Sequence, residues 1–192
     1  YRTGNFASAE QTFTELYNQS ALHDKLEGEI LDSDTPDQLF SSTIISQMMH
    51  RQTGYTEFDI PVIGIDVARF GDDTTTAYLR RGRNVQLLFK VNGADSFAIY
   101  EKIRQGIMSH NLKKNRTILN FDGTGGFASG AVDICRKGGF FVNELHFNAI
   151  ANNVSDYFGN LRTLMYFNFS EAAKRGLSVT YDEQLEMQLS CV

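Results

Sequence analysis

Tryptophan is absent from this sequence, and its 192 residues contain only two cysteines, Cys135 and Cys191. The cysteines stand far apart with no Cys-x-x-Cys spacing, which excludes a cysteine zinc site and a disulfide framework and makes a reducing, cytoplasmic setting the default. No apolar run approaches the roughly 20 residues that a membrane helix needs, and no basic-then-apolar leader opens the chain, so no membrane partner is expected. Internal repeats and low-complexity segments are also missing. Positive charge is in deficit: 18 Lys and Arg against 23 Asp and Glu give a net charge of −5. That balance argues against non-specific coating of nucleic acid. Local clusters at Arg80, Arg81 and Arg83 and at Lys113, Lys114 and Arg116 could still touch phosphate, or be solvated surface. The histidines His23, His50, His110 and His146 each stand alone, none paired with another at ligand spacing. Isolated histidines of this kind are ordinary surface or core residues. His146 is the one to watch, because it ends a strand beside the candidate site.

What the sequence does contain is bulk for a core. It is 42% hydrophobic, with Phe 15 and Tyr 8 in place of tryptophan, enough for one well-buried soluble domain. The chain opens on Tyr1, so a piece or processed form of a longer protein is expected.

Periodicity divides the chain. Phe13, Leu16, Tyr17, Leu22 and Leu26 recur at helical spacing over residues 9–30, and a polar break around Pro36 follows. A second helix is expected over residues 41–52, with Ser41 or Ser42 as cap and Ile44, Ile45, Met48 and Met49 on its apolar side. A strand is then expected to start at Ile60 and run through Val62-Ile63-Gly64-Ile65-Asp66, which looks buried on both faces. An ionised Asp66 there would cost several kcal/mol unless paired or bound to a cation. The chain turns at Gly71-Asp72-Asp73 into a β-rich run, passes a hairpin tip at Arg80-Arg81-Gly82-Arg83 and returns over residues 85–91. The result is a three-stranded antiparallel meander with an acid on its first, central strand.

Beyond the meander come a helix over residues 96–109, a short apolar strand over 117–121, and Asp122-Gly123-Thr124-Gly125-Gly126 opening a helix over 127–137. A strand over 140–147, a long helix over 155–175, a short extended stretch over 177–180 and a last helix capped by Asp182 complete the chain. The expected fold is α/β: a mixed sheet, the meander plus parallel strands, flanked by helices. Ligands in open sheets of that kind gather at the carboxyl ends of central strands, where Asp66 and Asp122 are both placed.

Two aspartates on adjacent parallel strands, 56 positions apart in sequence, can bring their carboxylates close enough to share divalent cations. Such close like charges are unfavourable unless metal neutralises them. Hard oxygen ligands favour Mg²⁺ or Mn²⁺ over zinc, and paired ions activate water and stabilise the leaving oxygen in phosphodiester hydrolysis. The alternative is that Asp122 only caps the following helix and Asp66 only starts a turn.

The stretch Gly64-Ile65-Asp66-Val67-Ala68-Arg69-Phe70-Gly71-Asp72-Asp73, with the following β-rich run and Arg80-Arg81-Gly82, resembles the start of the nuclease domain of phage terminase large subunits. The similarity continues through Phe121-Asp122-Gly123-Thr124-Gly125-Gly126, Glu144-Leu145-His146-Phe147-Asn148, Tyr157-Phe158-Gly159-Asn160-Leu161-Arg162-Thr163-Leu164-Met165 and Asp182-Glu183-Gln184-Leu185. Leu26-Glu27-Gly28-Glu29 and the helix after it resemble the link from the packaging ATPase to the nuclease. Each motif is moderately specific; their shared order along most of the chain is the stronger signal.

The resemblance implies an RNase H-like (retroviral-integrase-like) fold and a metal-dependent endonuclease that cuts concatemeric double-stranded DNA with two Mg²⁺ or Mn²⁺ ions. It implies residues 1–58 as a helical linker from an upstream ATPase domain and residues 59–192 as the nuclease domain, cut short at its C-terminus. Asp66 and Asp122 match the first and second metal-binding, catalytic aspartates, and Asp73 a further acidic position. The third acid of the family lies on a helix beyond the last matched segment and is expected to be missing from these residues, which implies weak or no cleavage by this chain alone; full activity would instead place it within them, with Asp182 or Glu183 the first places to look. Arg80, Arg81 and Arg83 are the DNA-contact candidates. The implied partners are double-stranded DNA, the ATPase domain of the same polypeptide, the terminase small subunit and the portal, in the cytoplasm of a bacterial host. No Gly-x-x-x-x-Gly-Lys-Ser/Thr occurs anywhere, so the ATPase half is not in this chain. Two other readings stand beside this one. Gly64-Ile65-Asp66-Val67 with Thr74-Thr75-Thr76 and the later Asp122-Gly123-Thr124-Gly125-Gly126 resemble the phosphate loops of actin-like ATPases, which hold phosphate on backbone amides. The segment could also be a DNA-docking module whose acid pair is silent.

Overall fold

Side-chain alternation decides how the first strand sits. In the computed structural model, which describes residues 38–68, 74–149 and 158–192, β1 (Val62–Asp66) buries Ile63 and Ile65 while Gly64 and Asp66 are exposed. Among the described residues the strand is therefore covered on one face, not on both. Gly64 makes the run look continuously apolar in sequence but occupies an outward position, and Asp66 shares that outward row. The carboxylate stays hydrated, and the expected desolvation cost does not arise.

β2 (Thr74–Arg81) and β3 (Asn84–Asn92) complete the antiparallel meander, and β4 (Ile118–Asp122) and β5 (Phe141–Leu145) add parallel strands on the other side of β1. A two-residue β6 (Ser178–Val179) pairs in parallel with β3, giving a six-stranded sheet in the order β5-β4-β1-β2-β3-β6. The pairing of β2 with β3 slips between Ala77 and Tyr78, so that Leu88 is the extra residue of a bulge. Leu88 packs against the core from that position.

The described residues fall into two compact units. One comprises residues 52–148 and 178–180; the other takes in α1 and the C-terminal helices, from 149–177 and 181–192. The helix before β1 packs with helices from the chain's far end.

In the sheet unit, α2 (Ser96–Ser109) and α3 (Ser129–Lys137) cover one face. Asp95 caps α2 by accepting the Ala98 N–H at 2.7 Å. Ile99, Ile103 and Ile107 recur at helical spacing and are buried with Ile63, Ile65, Leu79, Leu119 and Phe121. Each such side chain contributes roughly 1.5–3 kcal/mol. Gly106 lets Leu88 approach: a Cβ there would lie 2.8 Å from the Leu88 side chain. From α3, Ala131, Val132 and Cys135 complete this core, and burial pushes the Cys135 thiol up to about 11.

In the helical unit, α1 (Ser42–His50) is capped by Ser41, whose Oγ accepts the Ile44 N–H at 3.2 Å, and it buries Ile45, Met48 and Met49. Phe40 stacks at 5.3 Å on Phe169 of α4 (Leu161–Lys174), and Ser170 donates to the Leu39 carbonyl at 2.6 Å. Arg51 donates to the carbonyls of Ala173, in the last turn of α4, and of Leu177, three residues past its end, at 3.2 and 3.0 Å. Asp182 caps α5 (Glu183–Leu189) by accepting from the amides of Gln184 and Leu185. The helix expected over residues 9–30, and the first residues of the helix expected from 155, lie outside the described residues.

Candidate active site

The parallel register of β1 and β4 is what assembles the site. Ile63 pairs with Leu119, Gly64 with Asn120 and Ile65 with Phe121. Continued by one residue, this register sets Asp66 beside Asp122, with backbones about 5 Å apart, one inter-strand spacing. The two acids lie at the carboxyl ends of adjacent central strands and on the same face, opposite the face that α2 and α3 cover.

Asp122 is held by its own turn. Its Oδ1 accepts the Thr124 N–H at 2.8 Å, and Gly123 donates its N–H to the Leu145 carbonyl at 2.8 Å. A 3₁₀ turn, Thr124–Gly126, follows, in which Gly125 and Gly126 adopt φ of 80° and 77°. Those left-handed conformations favour glycine. The Thr124 hydroxyl accepts the Phe147 N–H at 3.1 Å and fastens the turn to the end of β5. Asp122 thus bonds the start of its own loop, with its carboxylate oriented by a backbone amide. A carboxylate has about four lone-pair positions, so one such bond leaves it capacity to ligate.

Glu144 and His146 close in on Gly123. A Cβ on this buried glycine would lie 2.5 Å from Glu144 Cγ and 2.9 Å from His146 Cε1. Glu144 is also 3.7 Å from Arg136 of α3. Sequence reasoning did not give Glu144 a role; its signal is its place one residue before the end of a strand that pairs with β4. Lys90 is another residue that sequence reasoning did not single out. It pairs with Thr76, which itself pairs with Asp66, so the exposed Lys90 stands on the acids' row two strands away, about 10 Å from Asp66 at the backbone. The period-two rule gives this face for Lys90 when counted from the Thr76 pairing, ahead of the bulge at Leu88.

The structure does not bring the arginine hairpin to the acids. β2 runs antiparallel to β1, so Arg80 pairs with Val62, at the opposite end of β1 from Asp66 and about 13 Å away along it. Gly82 turns the hairpin with φ of 56°, Arg80 Nε donates to the Gly82 carbonyl at 2.9 Å, and Arg80 and Arg83 are exposed. Arg81 points to the other face, and its guanidinium lies 3.5 Å above the Tyr55 ring. Asp73 lies outside the described residues. Asp182 is engaged as the cap of α5. Among the described residues, no three His, Cys, Asp or Glu side chains form a group able to hold a metal ion. The constellation is therefore a pair of carboxylates. As hard oxygen donors side by side, they fit a divalent cation of the Mg²⁺ or Mn²⁺ type.

Among the described residues no helix is long and apolar enough to cross a membrane. No family model and no curated protein matches the sequence. Solved structures do match its fold. One is a mutant nuclease domain of the large terminase subunit of bacterial virus Sf6 with manganese and beta-thujaplicinol, at 12% identity and a TM-score of 0.60, covering 79% of this chain and 78% of that one. Another is the large terminase nuclease from thermophilic phage G20c with bound magnesium, at 15% identity and a TM-score of 0.56, covering 82% and 81%. A third, the Sf6 domain with calcium, matches at 13% identity and a TM-score of 0.58, covering 79% and 78%. At these identities the likeness establishes architecture, and this chain has the RNase H-like fold of phage large terminase nuclease domains.

Proposed function

We propose that this chain is the metal-dependent endonuclease domain of a viral DNA-packaging terminase large subunit, which cuts concatemeric double-stranded DNA by phosphodiester hydrolysis. The observation that carries this reading is the parallel register that sets Asp66 beside Asp122 at the strand ends of a fold shared with nucleases. Asp66 and Asp122 would hold Mg²⁺ or Mn²⁺ between them, and Asp73 is a candidate for a further ligand. A divalent cation held there would supply activation of a water molecule and stabilisation of the leaving oxygen of the scissile phosphodiester. The chain's own contribution is orientation. The Thr124 amide fixes the Asp122 carboxylate, and Gly64 leaves the acids' face open next to Asp66 for a phosphodiester to approach. Lys90 adds positive charge on the same row, where it would attract DNA phosphate. On this reading the chain works in the cytoplasm of a bacterial host as a phage or prophage protein. Its partners are double-stranded DNA, an ATPase domain joined through residues 1–58, the small subunit and the portal.

A docking module with a silent acid pair is the second reading, favoured by the lack of a three-ligand group among the described residues. Manganese titration separates the two. Mn²⁺ should broaden the NMR signals of Asp66, Asp122 and Thr124, and the effect should vanish in Asp66→Asn/Asp122→Asn. Equal broadening in the variant, or none in the wild type, defeats the endonuclease reading.

A further inference from the structure

Two basic clusters some 30 positions apart in sequence converge on one cleft. It has a volume of about 440 Å³ and lies within the sheet unit, at the end of the sheet remote from the acids and on its helix-covered side. Arg81 comes from the end of β2, while His110, Lys113 and Arg116 come from the connection between α2 and β4. Lys114, the middle member of the second cluster, is committed elsewhere: it donates to the Gly138 carbonyl at the end of α3 and lies over the Phe140 ring. The structure thus sorts a run of three cations into one structural residue and two that line the cleft.

The chemistry of the lining points to phosphate. The Arg81 guanidinium lies 3.5 Å over the Tyr55 ring centre, and its buried Nε has no hydrogen-bond partner among the described residues. A buried donor left without a partner is unfavourable, and a guanidinium edge presents parallel N–H groups that match two oxygens of a phosphate. The cleft also carries two acids, Glu57 and Asp59. Asp59 is turned to its own loop, accepting from the Thr56 amide and hydroxyl at 2.7 and 3.0 Å. Lys113 and Arg116 are exposed on the rim, and Arg83 stands exposed two residues beyond Arg81. Cations spread along an open rim, around one orphaned guanidinium donor, suit an extended polyanion better than a single enclosed ion.

We propose that this cleft is a second nucleic-acid site, which grips a backbone phosphate with Arg81, Lys113 and Arg116 at a distance from the acid pair. It shares with the function proposed above the premise of a nucleic-acid ligand, but it needs neither the metal nor the acids. A duplex engaged there is held by its backbone, without sequence reading.

The test is a titration of the full chain with a short labelled DNA duplex in EDTA, with Asp66→Asn/Asp122→Asn as the background and inorganic phosphate as a separate probe. Signals of Tyr55, His110 and Arg116 should shift with duplex. Lys113→Ala/Arg116→Ala, which alters exposed side chains only, should weaken binding at least fivefold and lower the slope of log affinity against log salt by about 2, at ~0.9 per lost phosphate contact. Arg81→Lys keeps the charge but removes the paired N–H edge, and should weaken binding as well. Unchanged affinity and slope in the Lys113/Arg116 variant overturns the proposal. Shifts produced by inorganic phosphate with the duplex inert overturn the nucleic-acid assignment. Because the background lacks the acid pair, binding here and failure of metal-dependent cutting would be seen as separate results.

Discussion

Gly123→Ala probes the site through packing alone. The glycine is buried, its φ of −88° is open to any residue, and so the added methyl acts only through contact. The methyl would lie 2.5 Å from Glu144 Cγ, 2.9 Å from His146 Cε1 and 3.1 Å from Glu144 Oε1. The imidazole edge is exposed and can swing away, but Glu144 Cγ is near the root of its side chain, on a strand hydrogen-bonded to β4. Relief therefore requires Glu144 to leave Arg136 or the end of β5 to move. Overpacking of this kind costs about 1–3 kcal/mol. For a chain of this size that lowers Tm by roughly 2–4 °C per kcal/mol. Since Asp122 immediately precedes the glycine and bonds Thr124 immediately after it, metal affinity should fall together with stability. Thermal unfolding of the wild type, Gly123→Ala, Glu144→Ala and the double variant makes a cycle. Gly123→Ala should cost much less when Glu144 is already alanine. Equal losses in both backgrounds would refute the contact as the cause.

Three further outcomes follow from the same structure. Arg80→Ala/Arg83→Ala removes exposed cations from the hairpin tip and should lower the salt slope of DNA binding by about 1–2 with little change in Tm; an unchanged slope would make the tip a solvated turn. Burial, and then the charge of Arg81, hold the His110 pKa below its usual value. The unfolded chain therefore takes up the proton first, and stability at that site is present above about pH 6.5 and is lost as pH falls through the folded pKa. His110→Gln should flatten this part of the stability profile measured by urea unfolding, and an identical profile would contradict the assignment. Buried Cys135, with its pKa raised to about 11, should resist iodoacetamide in the native protein and react on unfolding, whereas half-buried Cys191 reacts first; mass spectrometry of the labelled peptides decides.

Local chemistry carried much of this architecture in the sequence. The spacing of Ile99, Ile103 and Ile107 placed a helix over residues 96–109, where α2 lies, and Asp182 was legible as the cap of α5. The carboxyl-end positions of Asp66 and Asp122 followed from short apolar strands that end on an acid. What was not legible depends on pairing. Gly64 made β1 read as buried on both faces, because a glycine in a run of Val and Ile gives no sign of which side it faces. The hairpin reads as a free basic tip, but antiparallel pairing carries it to the end of the sheet away from the acids. The short extended stretch over residues 177–180 was legible, but its place was not: β6 lies beside β3 because Arg83 and Val85 of the meander accept the amides of Ser178 and Thr180. The meeting of Arg81 with Lys113 and Arg116 is a product of strand order, which no local pattern encodes.

Plasmid nicking tests the central claim most directly. Supercoiled DNA incubated with Mn²⁺ and the protein should be nicked, and Asp66→Asn and Asp122→Asn should each reduce the rate at least about 100-fold, a loss near 2.7 kcal/mol of transition-state stabilisation. The rate in EDTA should fall to the same floor. If either variant keeps most of the metal-dependent rate, Asp66 and Asp122 do not form the catalytic pair, and the endonuclease assignment of this site is contradicted.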